Sequence, residues 1–150
     1  MENNFTLTKM NTQELNDLHN AFAVKEVSDD NAELRFTTNT DETILFNAIR
    51  GKSEPVSDYI GETVEITDIV VSAADMLIDR NDESKGKENH PIIHFFTSDG
   101  KHLSTASNGI RRNVIGLFEI GKIPSAENPI KITFDEVETK KGTAQTFNLT

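Results

Sequence analysis

PIIHFFTSDGKHLSTASNG, residues 91–109, contains two short strand-like runs, residues 92–97 and 101–105. Ser-Asp-Gly joins them, and an Asp-Gly pair between two such runs is among the strongest sequence signals for a β-hairpin. Phe95 and Phe96 are adjacent in the first run, so their side chains must point to opposite faces of the strand. One ring belongs in the hydrophobic core, and the other is available for a different purpose.

The residues on either side of this hairpin continue a regular order of elements. Before it lie a β-rich run and a polar loop, residues 62–74 and 79–89. After it come a helix with apolar side chains at helical spacing, an alternating strand, a tight turn and a last strand, which cover residues 108–121, 129–137, 140–143 and 144–149. The resulting order is strand, strand, strand, helix, strand, strand, which is the connectivity of an OB-fold.

We therefore predict a mainly β (α+β) protein with a single domain, residues 1–150. Its core, residues 61–150, is predicted to be an OB-fold, a five-stranded Greek-key barrel with one helix between strands 3 and 4. An SH3-like barrel and another α+β domain are the alternatives.

The first part of the chain, residues 1–60, is predicted to be an extension with a helix and a β-hairpin. Residues 12–22 have apolar side chains at helical spacing. Turn-forming residues at 28–31 separate this helix from two strand candidates, residues 33–36 and 43–49, which we expect to pair.

Composition excludes several classes of protein. The chain has no cysteine, so neither a disulfide framework nor a thiolate zinc site is possible. No apolar run approaches the ~20 residues of a membrane span. The N-terminus, MENNFTLTKMNTQEL, lacks the basic-then-apolar order of a signal peptide. We therefore expect a cytoplasmic protein.

The net charge of −10 opposes contact with nucleic acid, because phosphate groups are normally neutralised by Lys and Arg. The charge is unevenly distributed, however. Residues 1–84 have 6 Lys/Arg and 18 Asp/Glu, a net −12, whereas residues 85–150 have 9 and 7, a net +2. The C-terminal part can therefore present a local positive surface, and the N-terminal part cannot.

An OB-fold binds oligonucleotides on the face of its second and third strands, flanked by the loop between strands 1 and 2 and the loop between strands 4 and 5. In this chain these regions are the hairpin and the segments 79–90 and 139–143. Binding of a single strand requires aromatic rings for stacking and cations along the backbone. Residues of these types in or beside the predicted site are Phe95 or Phe96, His94, His102, Lys101, Lys140, Lys141, Arg111 and Arg112, with Lys85 and Lys87 on the first loop.

Several of these candidates also have an ordinary structural explanation. Alternation places His94 and Phe96 on one face of the strand and Phe95 on the other. The sequence leaves open which face is inside, but a buried histidine needs a partner and an exposed one does not, which favours His94 and Phe96 as the outward pair. The lysine pair at 140–141 fits a solvated turn, and the arginine pair at 111–112 can bind nearby carboxylates.

Neither a catalytic site nor a cofactor or metal site is predicted. His90, His94, Asp99 and His102 are residue types that bind metals, but the first precedes a proline and the last lies across a turn. The chain contains no HExxH, GxSxG or Gly-rich phosphate loop. The acidic run at residues 79–83 does not match the spacing of an EF-hand.

Three segments resemble the small single-stranded DNA-binding proteins of tailed bacteriophages. They are IGETVEITDIVV (60–71), PIIHFFTSDGKHLSTASNGIRRNVIGLF (91–118) and NPIKITFDEVETKKGTAQTFNL (128–149), and the resemblance extends over residues 46–150. It implies an OB-fold that coats the displaced single strand during phage replication, without catalysis and with little sequence preference. It also implies DNA contacts from the hairpin, the loop at 139–143, residues 104–108 (with Ser104, Ser107 and Asn108) and Arg111.

We therefore predict a non-catalytic protein that binds single-stranded DNA in the host cytoplasm. The first alternative is an acidic protein-interaction module or DNA mimic built on a small β-barrel, and the second is a small hydrolase or metal-dependent enzyme. Three roles stay open for residues 1–60: they cover part of the barrel, mediate self-association, or contact replication proteins.

Overall fold

The computed structural model describes residues 12–26 and 32–150, and its core is a curled sheet of seven strands. The strands are β1 (Ala32–Thr37), β2 (Glu54–Pro55), β3 (Thr63–Leu77), β4 (Lys87–Thr97), β5 (His102–Thr105), β6 (Ile130–Thr139) and β7 (Gly142–Leu149). The α-helices are α1 (Thr12–Ala21), α2 (Glu42–Arg50) and α3 (Asn108–Glu119), and single 3-10 turns span Val56–Tyr59 and Glu83–Lys85.

The five strands from β3 onward have the predicted OB-fold order. The sheet runs β2-β5-β4-β3-β6-β7, and α3 connects β5 to β6. β3 is long enough to pair with three strands. Its first residues pair with β6, its second half pairs with β1, and most of its length pairs with β4. The register of β3 against β4 shifts between Ile66 and Asp68, where the strand changes partners. The predicted mainly β fold, with one helix between the third and fourth barrel strands, is confirmed.

Aromatic rings fill the interior of the barrel. Phe95 is fully buried and makes edge contacts with Phe134 and Phe147, with ring centroids 5.6 and 6.2 Å apart. Aromatic pairs prefer this edge-to-face arrangement because the positive edge of one ring meets the negative face of the other. Phe95 is therefore the core ring of the hairpin. Phe96, on the opposite face of β4, is half-buried.

α3 lies along the seam between β5 and β7, which share no backbone ladder within residues 32–150. Its apolar side, which includes Ile110, Val114 and Phe118, is fully buried. Across the seam, Thr105 Oγ1 of β5 donates to Gln145 Oε1 of β7 at 2.8 Å, and from α3, Asn113 Nδ2 donates to Thr146 Oγ1 of β7 at 2.6 Å. Side chains rather than backbone pairing therefore hold the two strands together.

The predicted N-terminal β-hairpin is wrong, because residues 43–49 belong to α2. Asp41 caps this helix, and its Oδ1 accepts hydrogen bonds from the backbone N–H groups of Thr43 and Ile44 at 2.9 and 3.3 Å. A short apolar run fits a strand and a helix equally well by periodicity, and the cap decides between them. The first strand candidate is confirmed as β1, but it pairs with β3.

The N-terminal segments share the hydrophobic core of the barrel. Leu18 and Phe22 belong to the same buried cluster as Ile66 and Phe95. The predicted first helix is confirmed as α1, whereas the turn predicted at residues 28–31 lies outside the described residues.

The polar loop between the first two barrel strands is shorter than predicted. β4 begins at Lys87, so the last residues of the predicted loop are part of a strand. Asn89 is buried there, accepts from Arg35, and donates through Nδ2 to Asp75 Oδ1 at 3.1 Å. Its tertiary partners, rather than its own propensity, place this polar residue in the sheet.

Candidate nucleic-acid interface

A groove of about 710 Å³ runs between the two loops that flank the barrel. One wall comes from the loop after β3 and the start of β4, the other from the turn between β6 and β7, and the floor from the end of β5 and the start of α3. The residues that line it are Arg80, His90, Thr105, Ala106, Ser107, Asn108, Gly109, Thr139, Lys141, Thr143, Ala144 and Gln145. The groove lies between the two loop regions that were predicted to flank the ligand site, residues 79–90 and 139–143, but it does not include the predicted hairpin face.

The residues that line the groove carry a net positive charge, in contrast to the chain as a whole. None of the twelve described residues that line it is acidic, although the full chain has a net charge of −10. Arg80 and Lys141 are exposed in it, and within the described residues neither forms an ion pair. The other lining side chains are neutral and mostly small and polar. An anion therefore meets cations and hydrogen-bond donors here without a competing carboxylate.

The start of α3 adds backbone donors to the floor of the groove. Ser107 is the N-cap, and its Oγ accepts from the N–H of Ile110 at 3.3 Å. Asn108 and Gly109 are the first helical residues, and the N–H groups at such positions have no acceptor within their own helix. Both residues line the groove, so the positive end of the helix faces it.

The segment that contains α2 crosses the outer face of the barrel. Before the helix, Asn39 Nδ2 donates to Asp68 Oδ1 of β3 at 2.9 Å. After the helix, Ser53 Oγ lies 2.6 Å from Ser104 Oγ of β5. Because β4 lies between β3 and β5, the segment passes over all three strands. Of the three roles left open for the N-terminal part, the described residues therefore show one directly: they cover part of the barrel.

The expectation that His94 is exposed is wrong. His94 lies on the predicted face, opposite Phe95, but it is buried. Its Nε2 lies 2.8 Å from Ser72 Oγ, and its Nδ1 lies 2.8 Å from His102 Nε2. A buried histidine does need partners, but its partners come from neighbouring strands, which the pattern within one strand does not reveal. Phe96 stacks on the His102 ring, with centroids 4.4 Å apart and an interplanar angle of 16°.

Stability is expected to fall as the pH is lowered from 6.5 to 4. Burial, and to a lesser extent the neighbouring His102, lowers the pKa of His94 from 6.5 to about 4. Above pH 6.5 the His94 ring is neutral in both the folded and the unfolded chain. Below it the unfolded chain takes up a proton that the folded chain excludes, so the free energy of unfolding drops by up to roughly 3 kcal/mol. Burial also lowers the pKa of His102, which acts in the same direction.

Urea unfolding of the wild type and of His94→Gln, at pH values near 7 and near 4.5, measures this effect. The glutamine side chain does not titrate, so the variant should lose less of its stability between the two pH values. Equal losses in the two proteins would contradict a titrating His94.

Comparison with known families decides which family the chain belongs to. The family model described as Phage Single-stranded DNA-binding protein matches residues 19–150. The chain belongs to this family. The match covers the barrel and α2, and it confirms the resemblance predicted from the sequence. No curated protein and no solved structure matches the chain. A role in binding single-stranded DNA follows from the family.

For this family member, the structure places three of the predicted DNA-binding residues together. Ser107, Asn108 and Lys141 all line the groove. Lys140 is exposed at the tip of the same β6–β7 turn. Arg112 is exposed on the first turns of α3, and Arg111 beside it is half-buried, with Nη1 donating to the carbonyl oxygen of Phe22 at 3.2 Å. Burial, followed by the charge of Arg112, lowers the pKa of Arg111.

The other predicted residues lie away from the groove. The outer face of β4 and β5 carries His94, Phe96, His102 and Ser104, and Ser104 contacts Ser53 of the segment that follows α2. Lys101 follows the hairpin turn at the far end of β4, about 20 Å from His90 at the usual rise of a strand. Its Nζ lies 3.5 Å from Asp99 Oδ2 and 5.2 Å from the ring centroid of Tyr59.

Two basic residue types in the groove, Arg80 and His90, were not selected as DNA-binding residues from the sequence. Arg80 is in a loop that was predicted to flank the site, but the two lysines of that loop were preferred over it. One of those lysines, Lys85, forms an ion pair with Asp79 at 3.3 Å. His90 was weighed only as a metal ligand. A rule that gives every cation of a flanking loop equal weight would have found Arg80.

The described part of the chain has no group of three or more His, Asp or Glu side chains that could hold a metal ion. Asp99, one of the ligand types noted in the sequence, instead accepts from Thr97 Oγ1 in the hairpin turn. Within residues 12–26 and 32–150, no helix has the length and apolar character needed to cross a membrane.

Proposed function

We propose that the chain is a non-catalytic protein that coats single-stranded DNA with little sequence preference during phage DNA replication in the host cytoplasm. The groove is the observation that carries this proposal. It lies at the ligand site of an OB-fold, and its described lining residues include cations and no carboxylates. In an acidic chain, a surface free of acidic side chains fits an anionic ligand.

The chemistry of the groove favours contact with the phosphate backbone over recognition of bases. Arg80 and Lys141 can neutralise phosphates, and the hydroxyl groups of Ser107 and Thr143 can donate to phosphate oxygens. These contacts are the same for every nucleotide, which is the basis for little sequence preference. Lys140 and Arg112, both exposed near the groove, would follow the backbone beyond it.

Stacking would come from the outer face of the hairpin. Phe96 and His102 present two stacked rings that are each half-buried. Base stacking on an aromatic side chain contributes on the order of 1–3 kcal/mol per base. Ser104 of this face directly precedes Thr105 of the groove on β5. Successive strand residues point to opposite faces, so a bound strand would pass around the end of β5 to contact both surfaces. Lys101, Arg111 and His94 have contacts within the protein and would contribute less.

Fluorescence anisotropy of a labelled oligo(dT), measured at several salt concentrations, tests the proposal. We expect saturable binding that weakens with salt, with a shallow slope because few cations line the groove. The labelled oligonucleotide should remain intact, and binding should persist in EDTA. No binding at low salt and micromolar protein would contradict the proposal and would favour the acidic protein-interaction module.

Lys141→Ala is expected to weaken binding roughly fivefold, which corresponds to about 1 kcal/mol for one exposed ionic contact. The slope of log affinity against log salt should become shallower by about 0.7, the value for one phosphate contact on a single strand. Lys122→Ala is the matched control, because this exposed lysine lies outside the groove. If both variants changed the slope equally, the groove would not be the binding site.

A further inference from the structure

α2 presents an aromatic ring to solvent on the outer face of the barrel. Phe46 is 65% exposed, the largest fraction among the large hydrophobic side chains that the structure describes. On the opposite side of the helix, Ala48 is buried and Ile44 is half-buried. Phe46 therefore points away from the barrel. Single exposed apolar side chains are common on protein surfaces, so exposure alone assigns no role to this ring.

The surroundings of Phe46 distinguish it from an ordinary exposed residue. Arg50 lies four positions later, one helical turn away on the same side of α2, and is exposed. Lys52 follows it and is also exposed. Among the described residues, no carboxylate forms an ion pair with either cation. An exposed ring next to unpaired cations is the combination that binds a base together with its phosphate.

The location of Phe46 connects it to the groove. Ser53 touches Ser104, and the next residue along β5, Thr105, lines the groove. Arg50 lies three residues before Ser53, and Phe46 lies one turn of helix before Arg50. At the usual extension of the chain and the usual pitch of a helix, and with the Ser53–Ser104 contact and the step to Thr105 included, Phe46 is within about 30 Å of the groove. A single OB-fold engages on the order of 4–16 nucleotides, so one strand can reach both places.

We infer that α2 carries a second contact site for single-stranded DNA, in which Phe46 stacks on a base and Arg50 binds the adjacent phosphate. The inference rests on the proposed function, because it extends the path of the same strand from the groove onto α2. It also gives the N-terminal segment a role in binding, because the helix presents an aromatic ring in addition to the half-buried rings of the outer face.

Phe46→Trp provides a direct test, because the wild-type chain has no tryptophan. We expect the emission of this variant to be quenched on addition of oligo(dT), while the anisotropy of a labelled oligonucleotide reports binding like that of the wild type. Ile123→Trp is the control, because Ile123 is 43% exposed in the segment between α3 and β6, outside the groove. Its emission should not change.

The results of these measurements distinguish a failure of the α2 contact site from a failure of the proposed function. An unchanged emission of Phe46→Trp at saturating oligonucleotide, with normal anisotropy, overturns the inference and leaves the proposed function intact. No rise in anisotropy for the wild type at low salt overturns the proposed function itself. Quenching of both variants would indicate a non-specific effect of the oligonucleotide and would also count against the inference.

Affinities then test the kind of contact. Phe46→Ala and Phe46→Leu should each lower the affinity for a long oligo(dT) by about five- to a hundredfold, the range found for loss of one stacked base, whereas Phe46→Tyr should retain it. An oligonucleotide too short to leave the groove should bind all three variants equally. Arg50→Gln should reduce the salt slope by about 0.7. Retained affinity in Phe46→Leu would mean hydrophobic contact without stacking and would overturn the stacking role.

Discussion

Replacing Phe95 by alanine is expected to lower the free energy of unfolding by about 3–5 kcal/mol. The ring is fully buried at the centre of the barrel, where it contacts Phe134 and Phe147. Its removal loses the transfer free energy of the side chain and leaves a cavity that the surrounding strands cannot close completely. Because small domains are stable by about 5–15 kcal/mol, this single change removes a large part of the total. Urea unfolding monitored by circular dichroism measures it.

Phe96→Ala is the matched control, because the two rings are adjacent in sequence and lie on opposite faces of β4. Phe96 is half-buried and stacks on His102. Its loss should cost only ~1–2 kcal/mol, in proportion to the smaller apolar area removed from water. The same variant should weaken binding of oligo(dT), whereas folded Phe95→Ala should bind normally below its unfolding transition. A larger loss of stability in Phe96→Ala than in Phe95→Ala would contradict the assignment of the faces.

Gly109→Ala is expected to destabilise the protein by about 3 kcal/mol. A Cβ atom at this position would lie 2.1 Å from the backbone oxygen of Gln145, far inside van der Waals contact. A backbone atom in a strand cannot move aside as a flexible side chain can, so the first turn of α3 must shift away from β7. The hydrogen bond between Thr105 and Gln145 crosses the same seam and would be strained or lost. Affinity for oligo(dT) should fall as well, because all three residues line the groove.

Gly116→Ala controls for the substitution itself. Gly116 is in the same helix. A Cβ atom added there would have no atom of another element within 4 Å, in contrast to the Gln145 oxygen at Gly109. Alanine is the better helix former in a helix interior, so this variant should be stabilised by roughly 0.5–1 kcal/mol. Urea unfolding measures the change in the free energy of unfolding for each variant. Changes of opposite sign for Gly109→Ala and Gly116→Ala would establish that close packing of α3 on β7 holds the seam. Equal effects would show that the seam adapts to the added methyl group.

The barrel could be predicted from the sequence because its signals are local. The Asp-Gly turn, the alternation along residues 129–137 and the helical spacing after Asn108 each depend on residues a few positions apart. Their order along the chain was enough to select the OB-fold connectivity. The strand prediction for residues 43–49 was wrong because the local signal there is ambiguous. This short apolar run has no distinctive period, and the cap at Asp41 was not weighed against it.

The candidate site was only partly predictable. The two flanking loops follow from the fold and led to Lys141, whereas Ser107 and Asn108 were implied by the family resemblance, and all three line the groove. The position of α2 was not predictable, because it depends on contacts such as that between Ser53 and Ser104, which are far apart in the chain. That position in turn determines which outer-face residues are covered.

The amino-acid sequence by itself determined the strand and helix order of the barrel. It also determined that the two phenylalanines of β4 lie on opposite faces, and that the acidic residues are concentrated in the first part of the chain. These properties follow from local periodicity and composition. Only the tertiary structure decided that Phe95 is the inner ring, that His94 is buried against Ser72 and His102, and that Phe46 is exposed on a helix. Burial depends on which distant segment packs over a residue, and one strand or helix does not contain that information.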